Sequence, residues 1–181
     1  TTPASRFSFS KDGMVVQVAQ SATPIFTALE SPQKVVTISV EGVLSDYPKI
    51  PSGRTEGQSD ADDFGLRLGL ITQGEKQPNW WNNLLAPSWV KNFAEMSPLY
   101  AAGRTRFFVV SQKLPVGTFR KHPDWRGVEE EVVLRSGVPG SFGFRHSLRM
   151  PITAVGLWVL ADGDDTGSHF QLTLKSLTLE T

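Results

Sequence analysis

The sequence predicts an all-β domain, a sandwich of two sheet layers. Apolar residues recur at every second position in several short stretches, the period of a strand with one face buried. Turn residues punctuate those stretches at the spacing a sandwich of about nine or ten strands requires. Helical periodicity is confined to one segment.

Met14–Val18 is a short β-branched run, the first clear strand. In the next, Val36, Ile38 and Val40 alternate with Thr37, Ser39 and Glu41. Pro51 to Asp63 is rich in Gly, Ser and Asp and reads as a mobile, solvated loop. Phe64, Leu66, Leu68 and Leu70 then alternate with Gly65, Arg67, Gly69 and Ile71. Residues 78–98 break the pattern: Ser88 is placed to cap a short helix in which Trp89, Phe93 and Met96 fall at i, i+4 and i+7. Such a helical insertion is expected to cover a sheet end or wall a pocket. Strand patterns resume at Arg106–Val110 and Val132–Leu134.

The C-terminal stretch is the most informative. Ala154–Leu160 is apolar, Asp162-Gly163-Asp164-Asp165-Thr166-Gly167 is an acidic turn, and Phe170–Leu174 alternates again. Together they read as strand, tight turn, strand. Phe170, Leu172 and Leu174 share one parity, whereas Leu177 and Leu179 have the other. A one-residue bulge near Lys175-Ser176 would return both sets to the core.

Composition narrows the function. The 181 residues suit a single domain over 1–181 with a sizeable core. Eighteen basic and eighteen acidic residues cancel, so no field steers the chain onto a phosphate backbone, and nucleic acid is not an expected partner. No apolar run approaches the length of a transmembrane helix. The absence of cysteine excludes disulfides, thiolate nucleophiles and Cys-based zinc sites. The chain starts Thr1-Thr2-Pro3, as a processed or a trimmed chain would; a removed signal peptide is one expectation, and none is visible in the sequence.

Three constellations carry chemistry. Asp162-Gly163-Asp164-Asp165-Thr166-Gly167 resembles the first half of a calcium loop, with oxygen ligands at positions one, three and five followed by Gly, and Asp162, Asp164 and Asp165 are the candidate metal ligands. The twelfth position is Thr173 rather than a bidentate Glu, so the loop is not an EF-hand, and the alternative is a turn whose carboxylates bond nearby backbone N–H groups. Asp62 and Asp63, beside Asp60, could add carboxylates to the same cation, line a ligand site or do acid–base work; otherwise they are loop carboxylates, one paired with Arg67 at the strand start. Trp80 and Trp81 beside Asn82 and Asn83 combine flat aromatic faces with amides, as a sugar-binding surface does. The competing role for these tryptophans, and for Trp89, is to anchor the insertion. His122, His146 and His169 are scattered without metal-ligand spacing and read as turn or strand residues.

The order of motifs resembles a known family. Glu56 through Asp62-Asp63-Phe64-Gly65-Leu66-Arg67, the Pro115-Val116-Gly117-Thr118 turn, the Val132–Gly137 strand end, and Thr153–Leu157 running into Asp162–Gly167 follow the pattern of the uncharacterised bacterial domain-of-unknown-function family 3047. The chain departs from that pattern at Phe107–Val110, where the family has a more aromatic strand, at Asp165, where Asn is usual, and in the Trp80–Trp89 insertion. The resemblance implies a jelly-roll, galactose-binding-like β-sandwich in an exported, periplasmic or secreted protein, and no established reaction.

The leading expectation is therefore a non-catalytic ligand-binding module, with a glycan as the candidate ligand on Trp80, Trp81, Asn82, Asn83, Asp62 and Asp63, and a structural calcium ion at Asp162, Asp164 and Asp165. One alternative is a carbohydrate-active hydrolase using paired Asp residues, which requires two carboxyl groups across a cleft. Another is a cell-envelope module whose Trp-rich insertion docks on a protein partner.

Overall fold

A computed structural model describes residues 3–73, 102–122 and 128–181. The helical insertion expected over 78–98, with Trp80, Trp81, Asn82, Asn83 and Trp89, lies outside the described residues.

The described chain is all-β. Its nine strands are β1 (Arg6–Ser10), β2 (Gly13–Ala19), β3 (Ile25–Leu44), β4 (Leu66–Gln73), β5 (Ala102–Ser111), β6 (Phe119–Lys121), β7 (Val128–Arg135), β8 (Gly140–Leu160) and β9 (His169–Glu180). They form one sheet in the order β1-β2-β9-β3-β8-β4-β5-β7-β6. Only β5 and β7 pair parallel among the described strands, so the sheet is mixed.

Two long strands organise the sheet. The second half of β3 lies between β9 and the first half of β8, whereas the second half of β8 lies between β3 and β4. Each long strand also bulges. Residues 29–32 of β3 face Val155 alone, and residues 148–151 of β8 face Val36 alone. Each bulge contains a proline, Pro32 or Pro151, which has no N–H to give to a ladder. Bulges bend the strands that carry them. The sheet consequently curls back over its apolar face: the His146 ring of β8 lies 5.4 Å from the Phe108 ring of β5, although β4 stands between those strands in the sheet.

The core follows this curl. Val16, Val18, Ile38, Val40, Leu66, Leu68, Leu70, Phe108, Val110, Val133, Phe170 and Leu172 belong to one buried cluster, which we call the inner side. A second cluster, with Phe64, Ile71, Phe107, Val109, Val132, Val155 and Trp158, covers the opposite, outer side of β4, β5, β7 and β8. β4 is thus apolar on both faces, as a central strand must be.

Two sequence expectations need correction. Residues 152–181 do not form a hairpin: β8 and β9 flank β3, so the acidic turn connects strands that are not neighbours. A local pattern of strand, turn and strand does not reveal that a distant third strand fits between them. The alternation at Val36 also fails, because the β8 bulge shifts the register there; Val36 is exposed while Thr37 is buried. The bulge in β9 is present. Glu41 pairs with Ser176 and Gly42 with Leu174, leaving Lys175 unpaired on that border, and Leu177 and Leu179 pack against the same core as Leu172.

Candidate functional site

Residues from separate parts of the chain meet at one end of the outer side. Arg67 stands near the start of β4, Arg120 on β6 and His122 just after it, Glu130 on β7, Asp62 and Asp63 before β4, and Asp162 just after β8. Strand alternation explains the gathering: Glu130 shares parity with Val128 and Val132 of the outer cluster, and Arg120 is its register partner across the β6–β7 pair.

Arg67 is the hub, 4% exposed. Its Nη2 lies 2.9 Å from Asp62 Oδ2 and donates to the Asp62 carbonyl at 2.7 Å, its Nε is 3.1 Å from Glu130 Oε1, and its Nη1 contacts Asp162 Oδ2. Arg120 pairs with both Asp62 and Glu130 and donates to the Gly57 carbonyl. His122 Nε2 lies 3.0 Å from Asp62 Oδ2. Both guanidinium groups sit over the Phe64 ring, 4.6 Å and 5.3 Å from its centroid. Gly57 has a φ of 89°, the left-handed region that favours glycine, and a Cβ there would meet the Arg120 guanidinium.

The loop predicted to be solvated is therefore fastened down. Asp62 and Asp63 are 7% and 1% exposed. Asp63 accepts from the Thr166 N–H at 2.8 Å and the Thr166 hydroxyl at 2.6 Å, and the Asp62 N–H donates to Asp165 Oδ2 at 3.1 Å. Asp162 Oδ1 accepts from the Phe64 N–H at 2.8 Å. The two acidic motifs, about a hundred residues apart in sequence, are thus one structural unit. Glu56, also buried, performs the same task elsewhere in the loop: it accepts from the Ser111 hydroxyl at 2.5 Å and from the N–H groups of Gln112 and Lys113 at 3.1 Å and 3.0 Å. Glu56, Asp62, Asp63, Arg67, Asp162 and Thr166 lock this end of the sheet together.

The electrostatics divide the carboxylates. Burial alone would raise the Asp62 carboxyl, but the His122 hydrogen bond and the charges of Arg67 and Arg120 outweigh it and hold the group at about 2. Arg67 is pushed further up by Asp162, Glu130 and Asp62 despite its burial. Toward the acidic turn the balance reverses. Burial raises Asp162 against the pull of Arg67, with Asp63 adding to the rise. Burial and Asp63 raise Asp164, and Asp165 is pushed up to about 6, by burial first and by Asp63 and Asp164 after it.

Of the residues expected to hold a cation, Asp162 turns inward to Arg67, while Asp164 and Asp165 are exposed. Among the described residues no three carboxylates or imidazoles converge as a metal site. A calcium ion at this turn would have to rest on Asp164, Asp165 and backbone carbonyls, a poorer set than the hard cation favours.

Arg120, His122, Glu130 and Glu56 were not singled out from sequence as site residues. The available signal was Arg67 itself. A charged residue inside an otherwise apolar run is a candidate for burial, and a buried guanidinium needs carboxylate partners.

The chain matches no protein-family model and no curated protein.

Proposed function

We propose that the protein is a non-catalytic ligand-binding module, a β-sandwich of jelly-roll, galactose-binding-like type from an exported bacterial protein, with a glycan as its ligand. The observation that carries this reading is the engagement of the acids. Asp62 is held ionised by two arginines and a histidine, Asp63 accepts from Thr166, and Asp162 is bonded to Arg67 and the Phe64 N–H. A general acid must hold a proton near working pH and reach the substrate; Asp62 does neither. These groups make a stiff end to the sheet, and binding loops on a rigid scaffold are a common arrangement for recognition. The ligand surface in this reading is formed by Trp80, Trp81, Asn82 and Asn83. A glycan array with the intact chain, followed by titration calorimetry of each hit, tests it. Binding that Trp81→Ala abolishes is the expected result. An array without a hit, or Trp81→Ala binding unchanged, counts against the reading.

One observation favours a second reading, a carbohydrate-active hydrolase. Asp165 is exposed and has its carboxyl raised to about 6 beside Asp63, so it could serve as a general acid near neutral pH. Turnover of aryl glycosides lost in Asp165→Asn would establish that alternative.

A further inference from the structure

We propose that β1 is a dimer edge, at which a second copy of this chain adds its own β1 antiparallel about a two-fold axis. β1 ends the sheet, with β2 as its one partner among the described strands. Phe9 of β1 is 78% exposed, the most open of the large apolar side chains among the described residues. It shares parity with Phe7, which packs against the inner core. Their register partners on β2, Met14 and Val16, belong to the same inner side. Phe9 thus extends the inner apolar face along an edge that is open to solvent.

Hydrogen-bond parity defines what this edge offers. The Lys11-Asp12 turn brings Ser10 opposite Gly13 and closes on their backbones. Hydrogen-bonded and non-bonded pairs alternate along an antiparallel ladder. Ser10, Ser8 and Arg6 therefore turn their backbone groups to β2, whereas Phe7 and Phe9 turn theirs to the free border. Soluble proteins blunt such a border with charge, proline or a bulge. The opposite edge, β6, is three residues long and carries Arg120 and Lys121. The long strands β3 and β8 carry bulges with Pro32 and Pro151. Residues 7–10 of β1 have none of these devices.

A second copy fits because the run is self-complementary, as a two-fold contact requires. With the axis at Ser8, Phe7 of each copy lies across from the partner's Phe9. These are the residues whose N–H and C=O groups face the border, so both pairs exchange hydrogen bonds. Opposed residues share a face, so each exposed Phe9 ring covers the partner's Phe7. On the outer face Arg6 falls across from the partner's Ser10, beside the turn that carries Asp12, so opposite charges meet. An axis at Phe7 would oppose Phe9 to the partner's Ser5, and one at Phe9 would oppose Phe7 to the partner's Lys11. Five residues a side cover less than the roughly 800 Å² per partner of a stable interface, so the dimer is a weak one. Nothing at this edge depends on a glycan bound at residues 80–83.

The test is sedimentation equilibrium of the intact chain from about 10 μM to about 1 mM, with amide hydrogen exchange at both limits. The expected result is a reversible monomer–dimer equilibrium with a Kd of the order of 0.1 mM. Exchange at Phe7 and Phe9 should slow as concentration rises, while Ser8 is protected throughout. Phe9→Pro removes an outward N–H that β2 does not use, and Phe9→Lys sets a charge against the partner's Phe7. Each should weaken dimerisation by about tenfold or more. Phe9→Lys, at an exposed position, should leave the melting temperature of the monomer unchanged. Phe119→Lys, on the opposite edge, should leave dimerisation unchanged. A chain that stays monomeric up to about 1 mM overturns the proposal. So do Phe7 and Phe9 amides protected at the lowest concentration, which would mean that the edge is already covered. A dimer that both Phe9 variants leave intact overturns it as well, and so does growth beyond the dimer, which a two-fold edge cannot support.

Discussion

Glu130 and Glu131 are neighbours in the chain and occupy opposite sides of β7. Glu130 faces outward into a sealed network, 1% exposed, between Arg67 and Arg120. Glu131 faces inward to Arg106 and His146 at a flank that solvent reaches. The pair shows that the same residue type, buried on either side of one strand, can meet fully buried partners on one side and partly solvated ones on the other. On the outer side a carboxylate is held between two buried guanidinium groups and stiffens the fold; on the inner side its partners are partly solvated.

The largest expected effect breaks this comparison directly. Glu130→Gln leaves two buried guanidinium groups short of a charge and should cost about 3–5 kcal/mol in urea denaturation, as breaking one side of a buried ion pair does. Glu131→Gln, in the partly solvated pair, should cost about 1 kcal/mol. Equal losses would show that the two sides are equally sealed.

An intermediate effect comes from pH. Asp62 sits at about 2 in the folded chain against an ordinary 3.8, so the stability it contributes is present above 3.8 and is lost as pH falls toward 2. Asp165 has the opposite sign: raised to about 6, it favours the folded chain most below 3.8, and that contribution is lost as pH rises through about 6. Melting temperature should therefore be highest between these limits. Asp62→Asn should flatten the acid limb. Asp165→Asn should flatten the neutral limb, by less than about 1 kcal/mol because solvent screens the exposed turn.

The smallest effect lies away from both sites. Arg145 pairs with Glu180 at 2.8 Å through Nη2 on the open surface. Arg145→Gln should leave the melting temperature unchanged within error, since an exposed pair gains little over hydration. A clear loss there would mean that surface pairing matters more in this fold than the buried and flank sites imply.

The strands were largely legible because side-chain parity is a local property. Phe64–Ile71 announces a central strand, and the parity break between Leu174 and Leu177 locates the bulge at Lys175. The candidate site was legible only in fragments. Asp62, Asp63, Asp162, Asp164 and Asp165 stood out as acidic groups, and the pairing of one strand-start carboxylate with Arg67 was legible, as Asp62 shows, but the engagement of these acids with Arg120, His122 and Thr166 was not. Those partners lie across strands that meet through the curl of the sheet, and no spacing in the chain encodes that contact.

By itself, then, the sequence determined an all-β chain, the residues able to face a core, and a strand-start carboxylate within reach of Arg67, because burial and alternation act over a few positions. Only the tertiary structure decided that β3 separates β8 from β9, that the acidic turn closes over the Asp62–Asp63 loop, and that Glu130 and Glu131 part company. Those outcomes depend on which distant strands become neighbours, and that choice is made by the packing of the whole sheet.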